Sequence, residues 1–507
     1  MPTMLQLLLE PYSLLPLLLL FPLFLLLLTT RRTHKTHLPP SPPRLPIIGN
    51  LHQVGALPHR SFYALSKKHG PLMLLHLGET PTLVVSSPEM AQVIMRTYDH
   101  IFASRPPSKG SNILHKGAKN IACAPYCEHW RQEKKLCTMH LLSAKKVQSF
   151  KHAREEEVSF AIGKIYKAQE SSEPMNLSEV LNAFANDIVC RVVSGKFSRE
   201  GGRNVLFREL IERNGEILGG FNLVDYFPRL AWVDFLSGFS SRTRKVAKRW
   251  DDVLEDVIKE HTMNRVKNNK QENTDFVDIL LALEDDLQME YGLTKDHLKA
   301  LLVDMFAAGT ATSYITLEWA MAELVKDSKA MKKLQDEVRR IANGKEMVKM
   351  EDLTEMSYLR AVVKEILRLH PAAPLLLARE SMKDCQIEGY QVPKRTRIII
   401  NAWAIHRDSK FWEAAEEFHP ERFIGSYVDY KGNDFQFIPF GAGRRICPGI
   451  SFGISTVELM LANLVYSFDW ELPHGVVREE MNMADTFGLT MRMKENLYLV
   501  PKSCKKI

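Results

Sequence analysis

Apolar residues recur at three- and four-residue spacing through Phe276 to Leu283, Asp296 to Leu324, Lys329 to Ile341, Leu359 to Leu369 and Ile450 to Phe468. That period predicts helices, each with a face or a whole surface to bury. Strand-like pieces are few: Leu72 to Leu77, Thr82 to Val85, and Arg397 to Asn401 with its isoleucine triplet. The run Lys267 to Thr274 is polar and charged, and reads as a solvated loop. The pattern predicts a mainly α chain with a small β region, helix content standing above the usual share.

A different pattern marks the start. From Pro11 to Leu28 the chain is almost wholly apolar, at the short end for a membrane-spanning helix. A cleaved signal peptide carries a basic start and a small-residue cleavage site. Here Glu10 precedes the run, and Arg31, Arg32 and Lys35 follow it. Those flanks favour a retained anchor, residues 1–30, with the following chain on the cytosolic side. Pro16 and Pro22 kink such a helix at a cost that lipid-buried helices tolerate. The prolines from Leu38 to Pro46 then stiffen a basic, proline-rich hinge over residues 31–50 into an extended spacer.

The 507 residues would ordinarily suggest about three domains. Beyond residue 50, however, there is no convincing linker and no internal repeat, so one large catalytic domain, 51–507, is expected. At 45% hydrophobic there is ample material for a core. The net charge of +7 is spread out and not interleaved with aromatics, which argues against a nucleic-acid partner. Seven cysteines show no disulfide framework, as fits a reducing compartment; Cys123 and Cys127 lack a second pair at zinc spacing and read as structural. The terminal Cys504 to Ile507 has lysines where a prenylation box needs aliphatic residues.

The most informative stretch is Pro439 to Gly449, PFGAGRRICPG. It sets Cys447 in a cationic, glycine-rich loop just ahead of a helical pattern. Gly441, Gly443 and Gly449 allow tight turns and close approach to a flat ligand. Nearby positive charge and backbone N–H groups favour a thiolate. Pro448 is well placed to open the helix that follows. The stretch resembles the haem-ligand loop of the cytochrome P450 monooxygenases, whose fold is mainly helical with a small sheet. The resemblance runs in order from residue 38 to the C-terminus. It implies haem b, with Cys447 as the axial ligand of the iron and Phe440 packed near the sulfur to keep water away.

Other residues take roles by the same resemblance. Ala307 to Ser313, AAGTATS, is a small-residue run inside a long helical pattern. Taken alone it reads as close helix packing, or as a notch that opens a helix locally beside a pocket. In the family, Ala308, Gly309 and Thr312 form the oxygen-binding groove, and the threonine hydrogen-bonds dioxygen and aids proton delivery. The family usually carries an acid before that threonine, whereas this chain has Ala311, which cannot accept a hydrogen bond from water. Trp130 and Lys134 match the pair that holds a haem propionate, with lysine replacing the forked arginine. Arg379 and Arg445 match the remaining propionate partners. Glu365 and Arg368 share a helical face, and the family joins them with Arg422 in a buried structural network.

The resemblance also implies partners. No flavin or nicotinamide motif is present, and the lone Gly201–Gly202 pair is far too little for one. Electrons then come from an NADPH-cytochrome P450 reductase, and the protein sits in the endoplasmic reticulum membrane by a single pass. Phe102 to Pro106, Ala124 to Trp130, Asp304 to Gly309 and Asn401 to Ile405 are similar to the plant A-type group, which mostly modifies terpenoids, phenylpropanoids and amino-acid-derived compounds. By family position, substrate contacts fall in Arg105 to Cys127, around Gly219 to Phe227, Asp304 to Thr312, Ala373 to Leu377, and Gly488 to Thr490. Leu375, Leu376, Leu377 and Leu489 suggest a small apolar ligand, though the same leucines fit a core equally. Two other readings stand beside a monooxygenase. One is a haem-thiolate dehydratase or isomerase that uses no dioxygen, prompted by Ala311; the other is a non-catalytic membrane-anchored haem binder.

Overall fold

The computed structural model describes residues 37–170, 173–195, 202–267, 275–284 and 293–504. The anchor and residues 31–36 of the hinge lie outside them, as do the solvated loop over 268–274, Gly201 and residues 505–507.

The longer elements of the first half are α1 (Pro58–His69), β1 (Leu72–Leu77), β2 (Thr80–Val85), α2 (Glu128–Leu136), α3 (Lys151–Gln169), β3 (Met175–Asn176), α4 (Leu177–Ser194), α5 (Arg203–Gly219) and α6 (Phe239–Lys267). The second half adds α7 (Phe276–Glu284), α8 (Lys295–Lys326), α9 (Ser328–Ile341), α10 (Ser357–Leu369), β4 (Arg379–Glu380), β5 (Arg397–Ile400), α11 (Ile450–Ser467), β6 (Phe468–Glu471) and β7 (Tyr498–Ser503). The five helices predicted from periodicity are α7 to α11, each within two residues of its expected ends. Lys267 closes α6 rather than opening a loop, and Phe468 starts β6 rather than ending α11.

Helix α8 organises the core. Thr294 caps it, its hydroxyl accepting the His297 N–H. Leu298, Leu301, Leu302, Phe306, Ile315, Leu317 and Trp319 are buried around its circumference, the signature of a helix enclosed on all sides. It packs against α4 and α11. Both α8 and α11 are long and apolar enough to cross a membrane, yet both lie mostly inside the fold. Asn176 caps α4, and Asp327 caps α9 in the single turn that follows α8.

The sheet sits to one side, ordered β1-β2-β5-β4. β1 and β2 pair antiparallel, Leu72 opposite Val85, while β2 and β5 run parallel, with Val84 opposite Ile399. That parallel pair spans most of the chain and closes it on itself. Asn401, predicted as strand, instead accepts the Ala404 N–H and caps a short helix. A second sheet, β3-β7-β6, ties the C-terminal strand to the start of α4. The cysteine loop lies between these layers, with α11 beginning at Ile450 behind the cap Gly449. Pro448 therefore stands one residue ahead of the cap, outside the first turn.

Candidate functional site

The loop holding Cys447 is built by its glycines. Gly441 and Gly443 have φ of +69° and +66°, backbone that side chains resist. At Gly443 a Cβ would also stand 2.2 Å from the Met95 carbonyl oxygen, so no other residue fits. The turn is closed by Cys447 N–H donating to the Phe440 carbonyl at 3.0 Å. Gly449 N–H donates to Cys447 Sγ at 3.3 Å. The sulfur is half-buried. Burial raises its pKa against the opposing pull of the Gly449 N–H and Lys134. A metal cation at the sulfur would favour the thiolate against that burial.

Around this loop four cationic side chains converge. Arg445 donates Nε to the Ala103 carbonyl at 2.7 Å, Nη1 to Ile121 at 3.1 Å and Nη2 to Ala124 at 2.6 Å. Its guanidinium lies over the Trp130 ring, 3.8 Å from the centroid. Trp130 donates its indole N–H to the same Ile121 carbonyl at 2.9 Å. Lys134, one turn along α2, donates to the Arg444 and Ile446 carbonyls, both at 2.7 Å. Arg379 reaches Asp99 Oδ1 and the Ala442 carbonyl, each at 2.7 Å. Arg105 donates to the Ala122, Leu377 and Ala378 carbonyls at 2.9, 2.6 and 2.9 Å.

The electrostatics of this group are unusual. Burial pushes Arg445 down to about 9, with Arg379 adding to it and Cys123 opposing. Burial likewise brings Lys134 to about 8, the Cys447 sulfur opposing and the three arginines adding to the fall. Arg105 falls well below its ordinary value, through burial and then its cationic neighbours Arg445 and Arg379. Among the four, only Arg379 meets a carboxylate, that of Asp99, which also pairs with Arg444 at 3.3 Å. Arg105, Lys134 and Arg445 donate to backbone carbonyls and have no acidic partner among the described residues. That imbalance fits a ligand bringing two carboxylates of its own, as haem does. Trp130, Lys134, Arg379 and Arg445 were all singled out by sequence; Arg105 was named only as the edge of a substrate-contact segment, and Asp99 not at all, since a lone Asp carries no signal.

The small-residue stretch lies in the middle of α8. Ala308 is exposed in the middle of an otherwise buried helix. A Cβ on Gly309 would stand 2.9 Å from Val189 Cγ2 and 3.7 Å from Phe452, which lies on α11 five residues after Cys447. Close packing is therefore why Gly309 is glycine. The helix is not opened here: Thr312 Oγ1 donates to the Ala308 carbonyl at 2.7 Å, and Ser313 and Thr316 donate to the carbonyls four residues back, each at 2.8 Å. Ala311 packs against the core.

Beneath the loop, Arg368 grips Glu365 with two hydrogen bonds of 2.8 Å, and both side chains are fully buried. Arg422 Nε and the His419 N–H reach the same carboxylate at 3.1 and 2.8 Å. Arg368 also holds the His406, Ala415 and Glu417 carbonyls. The predicted network is assembled, and every donor named has an acceptor. Phe440 packs edge-on against Tyr430, with centroids 5.6 Å apart.

The segments expected to meet substrate divide. Leu376 and Leu375 are half-buried and pack against two separate core clusters. Leu377 gives its carbonyl to Arg105, and Gly219 packs against the Gly488–Leu489 backbone. Asp304, buried on α8, accepts Asn120 Nδ2 at 2.6 Å and the Ala122 N–H at 3.0 Å, pinning the loop over 120–122 that Arg445 also holds. On the outer side of Trp130 a cleft of about 350 Å³ is lined by Tyr126, Arg131, Lys134, Lys135, Thr138 and Arg444.

Comparison with known proteins agrees with this geometry. The sequence profile of the family described as Cytochrome P450 matches residues 39–500. The chain is 50% identical over 468 residues to an indole-2-monooxygenase of Zea mays, covering 91% of this chain and 86% of that protein. It is 48% identical over 457 residues to cytochrome P450 71A1 of Persea americana, covering 90% and 91%. A solved zebra fish cytochrome P450 with abiraterone superposes with a TM-score of 0.73 at 25% identity, over 89% of this chain and all of that one.

Proposed function

The chain belongs to the cytochrome P450 family, is an oxidoreductase of the monooxygenase class similar to plant members, and on that premise we propose that it oxidises a small apolar plant specialised metabolite with electrons from an NADPH-dependent reductase. The observation that carries the reading is the cluster of four buried or half-buried cations around the Cys447 loop, of which only Arg379 meets a carboxylate. A haem held by a thiolate supplies the dioxygen activation that replaces a C–H hydrogen with hydroxyl.

The residues of this chain have distinct tasks in that reading. Cys447 would hold the iron, and Arg105, Lys134, Arg379 and Arg445, with the Trp130 indole beside them, would meet the haem carboxylates. Apart from the Asp99 carboxylate that Arg379 holds, their present acceptors are backbone carbonyls, so the shell is preorganised before the ligand arrives. Phe440, held by Tyr430, would keep water from the sulfur. Gly441 and Gly443 would let the backbone pass close to the flat ligand. The exposed Ala308 and the tightly packed Gly309 would leave the distal surface free of side chains. Thr312 has its proton committed to the Ala308 carbonyl, and its oxygen remains free to accept one. With Ala311 offering no carboxylate, proton delivery falls to Thr312, to water, or to a hydroxyl of the substrate.

Further readings rest on the same premise. The similarity to the Zea mays indole-2-monooxygenase supports an aromatic, nitrogen-containing or related specialised metabolite. The cleft lined by Arg131, Lys134, Lys135 and Arg444 supports an acidic redox partner, the reductase. The apolar run before Arg31 and Arg32 supports a single-pass anchor in the endoplasmic reticulum, with residues 51–507 as a cytosolic catalytic domain. The test is expression in microsomes with a plant reductase, under labelled dioxygen, on a panel of apolar plant metabolites. An NADPH-dependent gain of one labelled oxygen is expected. An NADPH-independent loss of water or a rearrangement would replace this reading with a haem-thiolate dehydratase or isomerase.

A further inference from the structure

Among the described residues, two three-member clusters of metal-ligating side chains occur. In one, His261 is already paired with Asp275 at 3.0 Å, which leaves it no call for a metal. The other joins two helices. His129 and Glu133 stand four apart on one face of α2, and His297 lies in the first turn of α8. One ligand atom from each lies within 4.8 Å of the others. The two imidazole rings are 4.2 Å apart between centroids.

Glu133 is the telling residue. It is only 2% exposed, and neither of its carboxylate oxygens makes a hydrogen bond. His129 Nε2 is 3.0 Å from Glu133 Oε1, but it too lacks a hydrogen bond. A buried carboxylate left unanswered is costly, and native folds seldom leave one without a partner. Burial, with Asp304 adding and Lys119 opposing, pushes its pKa up to about 8. We propose that His129, Glu133 and His297 form a site for a divalent transition metal of the zinc class, clamping α2 to the start of α8.

Two imidazoles and one carboxylate suit zinc and its neighbours rather than calcium or magnesium, which prefer all-oxygen shells. Tetrahedral zinc at about 2.0–2.1 Å from each donor places ligand atoms roughly 3.3 Å apart. His129 and Glu133 are already at that separation, and small side-chain rotations bring in His297. His297 Nδ1 sits 2.9 Å from the Thr294 hydroxyl, the kind of outer contact that orients a metal-ligating imidazole. The competing cation is Lys119, which has Asp296 within 3.6 Å to turn to. The half-exposed ring of His129 leaves a way in from solvent. Because α2 also carries Trp130 and Lys134, the clamp would steady the helix that faces the haem pocket, though the metal site does not depend on that pocket being filled.

The test uses the full haem-loaded chain, stripped with chelator and titrated with zinc chloride, with zinc and iron counted by elemental analysis after dialysis. One zinc per iron is expected for the native sequence. Glu133→Gln, which keeps the shape, and His297→Ala should each weaken zinc binding at least about tenfold at unchanged iron content. His261→Ala, in the other cluster, should leave it unaltered. A native chain that retains no zinc, or variants at His129, Glu133 and His297 that retain as much as the native chain, would overturn the proposal.

Discussion

The guanidinium of Arg445 lies over the indole of Trp130, 3.8 Å from the ring centre, and both side chains donate to the carbonyl of Ile121. A residue two before the cysteine is thereby locked to helix α2, more than 300 positions away. The stacked pair fixes the direction of the loop before any ligand binds, since neither group can turn without leaving the Ile121 oxygen short of a donor.

That relationship predicts the effect of Arg445→Ala. The Ala103 and Ala124 carbonyls lose their side-chain donor, at about 1–3 kcal/mol each when left unsatisfied, and Ile121 keeps only Trp130. The variant should unfold at clearly lower denaturant and purify with a fraction of the native haem. Arg445→Lys should recover only part, because an ammonium cannot span the Ala103, Ile121 and Ala124 oxygens at once. Equal haem content in all three proteins contradicts the locking role.

Arg368→Ala removes the partner of a fully buried Glu365. Breaking such a pair costs roughly 3–5 kcal/mol. The His406, Ala415 and Glu417 carbonyls lose a donor as well. Protein without stably bound haem is the expected product, and a normal haem absorption spectrum at native yield speaks against it.

Ala311→Asp restores a carboxylate beside Thr312 on the central helix. Its added acceptor should order water for proton delivery, so that more product forms per NADPH consumed. The ratio of product to NADPH, measured on one substrate for both proteins, decides it; an unchanged or lower ratio places proton delivery elsewhere.

His261 gives a pH signature. Burial lowers its pKa, but the hydrogen bond and charge of Asp275 overcome that and raise it to about 9. A folded value above the unfolded one, near 6.5, stabilises the fold fully below that lower value, and the contribution disappears as pH rises through about 9. The stability difference between the native chain and His261→Gln should therefore be largest near pH 6 and vanish above about pH 9. A difference constant across that range contradicts the pairing.

Sequence and structure agree where chemistry is carried by a contiguous string or a strong period. Pro439 to Gly449 lies together in the chain, and α8 and α11 are apolar enough to announce themselves. Helix α3 was not legible because its buried face includes Arg154, Glu155 and Glu157, which read as solvent positions. Helix α6 was hidden for a related reason: its 29 residues are densely charged. Arg105, Asp99 and Asp304 act on partners up to 345 residues distant, and no local pattern reports such pairing. The notch reading of Gly309 gave way to close packing against Val189, a contact that depends on how α4 crosses α8.

The central claim is that Cys447 holds the haem iron through its sulfur. Iron X-ray absorption on the purified full-length protein tests this most directly, comparing the native chain with Cys447→His. A sulfur atom in the iron's first coordination shell of the native protein, replaced by nitrogen in the variant, is the predicted result. A native shell made of nitrogen and oxygen alone would contradict the account.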